Sequence, residues 1–158
     1  NFLKEHGIGS YEELLDRCEV ASASAARLKA DLRDTGAKID ELALKMKHVA
    51  AYRQLKPIYD RYKASRDKEK FLRGHESEII LFEAAARECK RLGAVPLPAT
   101  ERMQAEIDEL NARKAILKAE LQKAQRKEQD YAAMRQNVED FLSPPQPEQE
   151  RKKNVELE

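Results

Sequence analysis

The chain has 158 residues, and Ala, Glu, Lys, Leu and Arg supply 89 of them. A composition tilted this far toward helix formers, with five glycines, six prolines and no tryptophan, excludes a strand-and-turn fold and predicts long helices. Lys plus Arg number 30 against 29 for Asp plus Glu, so no net field draws the whole molecule to nucleic acid or an anionic membrane.

Leu, Ile, Val and Phe together make only 33 residues, thin for one compact core of this length. The expectation is therefore an elongated helical object with one core and a satellite. No apolar run approaches 18 residues and no signal peptide is present, so no membrane span is predicted. Cys18 and Cys89 lie far apart and outside any CxxC spacing, and read as reduced, packed thiols of an intracellular protein.

Residues 1–9 read as the end of an upstream helix, with Gly7 at the helix stop and Ile8 as its apolar follower. Ser10 with Glu13 then forms the Ser-x-x-Glu pattern that opens a new helix. From there a 3,4 spacing runs through Tyr11, Leu14, Cys18, Ala21, Ala25, Leu28, Leu32, Thr35, Ile39, Leu42, Met46 and Val49, with Thr35 alone neither apolar nor aromatic. That period predicts a coiled-coil helix over 10–50.

Residues 51–99 are expected to form a helical tip. Tyr52, Leu55, Tyr59 and Tyr62 break the heptad spacing, Pro57 is expected to kink the helix or start a new one, and Gly74 to separate Phe71-Leu72 from a helix over His75–Leu92. Ile79, Ile80, Phe82, Ala85, Ala86, Cys89 and Leu92 would pack on the tyrosines, and Gly93 would end that helix.

Thr100 is the expected cap of a second coiled-coil helix over 100–142. Its seam reads Met103, Ile107, Leu110, Lys114, Leu117, Leu121, Ala124, Glu128, Tyr131, Arg135, Val138 and Leu142. Residues 143–158, rich in Pro and charge, are expected to be a disordered tail. Because the two seams match in length, the expected fold is all-α: a long antiparallel coiled-coil hairpin with a small helical subdomain at its tip. Tyr11 would lie near Phe141 and Leu142, and Met46 near Ile107. A parallel homodimer of either helix is the rival arrangement, and a monomer or weak homodimer is expected.

Catalytic and metal-binding motifs are missing from the sequence. His6, His48 and His75 are dispersed, and His75-Glu76 fails as a zinc-protease motif because position 79 is Ile. No Gly-rich phosphate loop or nucleophile arrangement exists, so neither catalytic residue, metal site nor cofactor is expected. The stretch with chemical promise is basic: Arg53, Lys56, Arg61, Lys63, Arg66, Lys68, Lys70 and Arg73 face only three acids and interleave with Tyr52, Tyr59, Tyr62 and Phe71. Such a pattern suits nucleic-acid phosphates and stacked bases. It equally suits a helix whose tyrosines share a core face with Leu55 while the bases face solvent.

The run Ala51-Tyr52-Arg53-Gln54-Leu55-Lys56-Pro57-Ile58-Tyr59-Asp60-Arg61-Tyr62-Lys63, with Lys70-Phe71-Leu72, His75-Glu76, Ile79-Ile80-Leu81, Leu92-Gly93 and Leu97-Pro98, resembles a relaxase/mobilisation-nuclease family. The likeness is to the helical region downstream of the nuclease domain in relaxases of bacterial conjugative and mobilisable elements. Asn1 to Ile8 and Ser10 to Leu14 fit the same resemblance. It implies a cytoplasmic bacterial parent that nicks one DNA strand through a tyrosine and a metal-binding His cluster. This chain holds no such cluster, and none of its tyrosines matches the nucleophile. The resemblance thus implies a non-catalytic interaction or scaffold domain, with protein partners in a DNA-transfer complex, DNA at the tip and no membrane. Direct DNA binding through Arg53–Arg73, or a coiled-coil oligomer unrelated to relaxases, are the alternatives.

Overall fold

The computed structural model describes residues 7–143, and over them the chain is all-α. Three helices, α1 (Tyr11–Ala64), α2 (Lys68–Arg91) and α3 (Thr100–Leu142), account for nearly all of it, and no strand occurs among the described residues. The upstream helix expected over residues 1–6, and the tail expected from 144 onward, lie outside the described residues. Contacts divide the chain into two units, one drawn from Asn1–Ala30 with Lys118–Glu158 and the other from Asp31–Leu117.

The first unit opens on the helix start that Ser10 and Glu13 encode. Gly7 takes a φ of 70°, open to glycine at no steric cost, and Ile8 behind it is buried. The backbone N–H of Glu13 donates to Ser10 Oγ (3.1 Å), and Glu13 Oε2 accepts from the backbone N–H of Gly9 (2.8 Å). The reciprocal pair thus reaches one residue further back than an ordinary capping box. Arg17 ties the turn down, donating to Gly7 O (3.1 Å) and to Glu13 Oε1 (3.0 Å).

Here the start of α1 lies against the end of α3. Tyr11 O–H donates to Glu139 Oε1 (3.0 Å) and Cys18 Sγ donates to Tyr131 O (3.4 Å). Residue numbers rise on one segment as they fall on the other, so the two segments run antiparallel. Ile8, Leu14 and Met134 form the buried centre, with Tyr11, Cys18, Tyr131 and Val138 packed around it.

The second unit packs α2 against α1 and the start of α3. Val49, Cys89, Ala94 and Met103 are its buried centre, flanked by Met46, Tyr52 and Leu97. Asp67 caps α2, accepting from the backbone N–H of Lys70 (3.1 Å). At the other end Gly93 (φ 71°) makes a Schellman stop: Gly93 N–H donates to Lys90 O and Ala94 N–H to Cys89 O (2.8 Å). The apolar contact that accompanies this motif is present as Ala94 on Cys89.

All twelve α1 seam positions, Tyr11 to Val49, are buried or half-buried, and so are the nine α3 positions from Met103 to Tyr131. Beyond Tyr131 the expected seam holds at Val138 and fails at Arg135 and Leu142. Arg135 is exposed, Leu142 is 66% exposed and Phe141 89% exposed, while Met134 is buried and Val138 half-buried. Glu128, Tyr131 and Met134 follow at two successive three-residue steps, which turn the covered face and take Arg135 out of it. Tyr11 accordingly reaches Glu139, while Phe141 and Leu142 stay exposed.

Three expectations in the second unit also need correction. Pro57 does not start a new helix: α1 runs through it to Ala64. An interior proline costs about 3 kcal/mol, but Tyr52 and Tyr59, on either side of it, both pack on Phe82 (ring centroids 4.8 and 4.3 Å). Within α2, the non-helical backbone of His75 (φ −135°, ψ 24°), next to Gly74, sets a short Lys68–Gly74 piece holding Phe71-Leu72 off from the helix that follows, as the sequence predicts. Ile80 is 54% exposed, since Ile79, Phe82, Ala85 and Cys89 already fill the buried face. Thr100 is the first helical residue of α3, not its cap.

These burials give a direct stability contrast. Leu14→Ala empties a fully covered site and is expected to lower the unfolding free energy by about 2–5 kcal/mol. Phe141→Ala is expected to stay within about 0.5 kcal/mol, because the ring has little to lose. Urea unfolding at an unchanged m-value checks both, and a large loss for Phe141→Ala would restore the seam through Leu142.

Candidate nucleic-acid interface

All eight basic residues singled out by the sequence lie in the second unit, and all eight are exposed. They differ in what their charges do. Arg53 reaches α3, donating to Pro98 O (2.6 Å) and Thr100 Oγ1 (2.9 Å), and so ties the loop before α3 to α1. Lys56 pairs with Asp60 one turn on (3.2 Å). Arg61 stands over the Phe71 ring (5.7 Å to its centroid) and Lys63 over the Tyr59 ring (5.3 Å). Their cations are thus partly engaged by ring faces.

Arg66, Lys68, Lys70 and Arg73 make no side-chain hydrogen bond, ion pair or ring contact among the described residues. They cluster around the three-residue turn from α1 into α2 and the first turns of α2. Two acids intervene: Asp67, whose Oδ1 serves as the α2 cap, and Glu69.

The interleaved aromatics have gone elsewhere. Tyr52, Phe82 and Tyr59 pack in sequence, and Tyr59 continues to Tyr62 (6.1 Å), Tyr62 to Phe71 (6.1 Å) and Phe71 to His75 (4.5 Å, stacked). The rings form a continuous ladder between α1 and α2, worth about 0.5–1.5 kcal/mol per pair beyond area. Of the two sequence readings of these tyrosines, the core face is the one the contacts support. His75 closes the ladder at the irregular turn of α2, its Nδ1 buried without a hydrogen-bond partner and 3.7 Å from Glu78 Oε1.

Sequence reasoning did not sort the eight bases, although one signal was there: Lys56-x-x-x-Asp60 has the spacing of a helical ion pair. It also missed two polar ties centred on glutamates, each reaching from one helix to another. In the first unit Glu139 Oε1 accepts from both Arg135 Nε (2.9 Å) and Tyr11 O–H. The Arg135 bond, with help from the tyrosine, holds this carboxyl below its ordinary range, while burial and the carboxylate push Tyr11 up. In the second unit Glu88 accepts from Arg91 (2.6 Å) and lies 4.0 Å from His48 Nε2 on α1. The Arg91 bond, ahead of His48, lowers its pKa too.

Other features offer less chemistry. An open cleft of about 340 Å³ in the first unit is lined by Asp16, Arg17, Ala21, Ser24, Ala124 and Tyr131 among others, and brings no nucleophile to a base. Burial pushes the Cys89 thiol up, away from thiolate reactivity. Among the described residues, no cluster of three or more His, Cys, Asp or Glu could hold a metal, and no helix is long and apolar enough to cross a membrane. Compared with protein-family models, characterised proteins and solved structures, the chain matches none.

Glu13, Glu88 and Glu139 are all held below the ordinary 4.5, Glu13 chiefly by the Gly9 backbone N–H. A carboxyl depressed in the folded state stabilises above its ordinary value, and that stability is lost as pH falls through the folded value. Melting temperature is therefore expected to fall as pH drops below 4.5. Glu139→Gln should lower it at neutral pH and flatten the acid slope. An unchanged slope in that variant would show that the Tyr11–Glu139–Arg135 tie contributes nothing.

Proposed function

We propose that this chain is a non-catalytic helical interaction segment of a bacterial DNA relaxase of the mobilisation type, acting in conjugative transfer. One observation carries the reading. The run Ala51–Lys63 with Lys70-Phe71-Leu72, on which the resemblance rests, supplies the ladder Tyr52, Tyr59, Tyr62 and Phe71 that joins α1 to α2. The residues that carry the resemblance thus do packing work, as a scaffold requires. In this role the helices present docking faces to protein partners of a transfer complex in the cytoplasm, while strand cleavage belongs to a separate nuclease domain of the parent.

Two measurements test it. The reading frame that encodes the chain is expected to specify a His cluster and an early tyrosine upstream of Asn1. A frame lacking them contradicts the parentage. Removing Tyr11–Leu142 from the parent is expected to leave strand cleavage at the transfer origin intact and to abolish plasmid transfer in matings. Loss of cleavage by the purified, folded deletion protein would contradict a non-catalytic role.

A further inference from the structure

We infer that the turn from α1 into α2 is a sequence-independent docking site for the phosphate backbone of duplex nucleic acid, built by Arg66, Lys68, Lys70 and Arg73. The inference does not depend on the relaxase parentage. It starts from the four cations that have no internal work. Two of them, Lys68 and Lys70, occupy the first turn of α2, where the helix dipole disfavours positive charge. Lys70 and Arg73 stand three residues apart on one helical face, a spacing at which like charges repel. Helix stability accounts for neither placement, whereas a polyanion laid across the turn would relieve both.

Three kinds of polyanionic partner compete, and the surroundings separate them. Stable docking on a membrane surface or an acidic protein gains from an apolar anchor beside the charges, since a few basic residues alone hold a membrane only weakly. Between Ser65 and Arg73 the large apolar side chains are Phe71 and Leu72, both half-buried, and Phe71 is already packed against Tyr62 and His75. The exposed large apolar residues all lie elsewhere along the chain. A site of bare cations gains its affinity by releasing counterions, which is how a nucleic-acid backbone is bound.

The aromatic ladder decides between single strand and duplex. Single-strand sites pair a basic groove with rings on which bases stack. Here Tyr59, Tyr62 and Phe71 are half-buried and engaged in the ladder, Tyr59 stacked on Phe82, Phe71 stacked on His75 and Tyr62 tilted between them, so the site offers no fully exposed ring to a base. The duplex, with its denser phosphates, is then the stronger ligand. Contacts to phosphates carry no sequence information, so a site built of cations alone should bind without regard to sequence.

Fluorescence anisotropy of the full chain with two unrelated labelled DNA duplexes, a single strand of equal length and phosphatidylserine vesicles tests this. At about 0.9 per phosphate, four contacts give a log–log salt slope of about −3.6, or roughly 150-fold weaker binding between 50 and 200 mM salt. The two duplexes should bind alike, and the single strand and the vesicles more weakly. Substituting all four residues by Gln should bring the slope close to zero with helix content unchanged. The pair Lys68→Gln/Arg73→Gln should halve it, which keeps the test valid should the fourfold variant fold poorly. Lys56→Gln, whose ammonium is paired with Asp60, should leave binding as it is. No duplex binding at 50 mM salt, an unchanged slope in both variants, tighter single-strand binding, or vesicles bound as tightly as duplex would each overturn the proposal.

Discussion

Twelve positions at three- and four-residue steps keep one face of α1 out of water from Tyr11 to Val49, and the remaining faces of the helix are largely polar. A helix of that kind has little intrinsic stability in water and is held by what covers its stripe. In the first unit the cover is the end of α3, and in the second it is α2 with the start of α3. The stripe is also narrow. Leu14 and Val49 are fully enclosed, while most positions between them are small or only half-covered. Stability is therefore concentrated at a few enclosed side chains, and the polar ties Tyr11–Glu139 and Arg53–Pro98 fall next to them.

The same stripe explains where charge ends up. Once the apolar and aromatic side chains of the second unit are committed to the Val49 cluster and to the ring ladder, the bases between them have only solvent, a neighbouring acid or a ring face to meet. Arg53 and Lys56 find partners, Arg61 and Lys63 lie over rings, and Arg66, Lys68, Lys70 and Arg73, in the turn and the first turns of α2, find nothing. Packing thus filters a basic run of eight into a compact group of four. The balanced charge of the whole chain conceals that local excess.

Much of this was legible in the sequence. Every position that the heptad spacing marks in α1 to Val49 and in α3 to Tyr131 is covered, because a covered helical face repeats on that period whatever covers it. Ser10-x-x-Glu13 and Gly93 mark helix ends because capping is local chemistry. The failures share one cause, which is competition between local preference and distant packing. Pro57 reads as a break, yet Phe82 is 25 residues further on and braces both sides of it. Arg135 and Leu142 continue a good heptad, yet Met134 is the better apolar knob and draws the register one step early. Arg53 and Lys56 look like their basic neighbours until the third helix and the local acid are in place. Pairing across 128 residues, as between Tyr11 and Glu139, leaves no periodic trace.

The central claim is that the stripe of α1 is covered, in the first unit, by the end of α3 from the same chain. Electron–electron dipolar coupling between nitroxide labels at Glu12 and Asp140, both exposed beside the Tyr11–Glu139 contact, measures this most directly. The account expects a strong, short-distance coupling that persists when the labelled protein is diluted with an excess of unlabelled chain. A coupling that vanishes on dilution would mean that a second chain provides the cover, and no coupling at all would mean that the two segments do not meet.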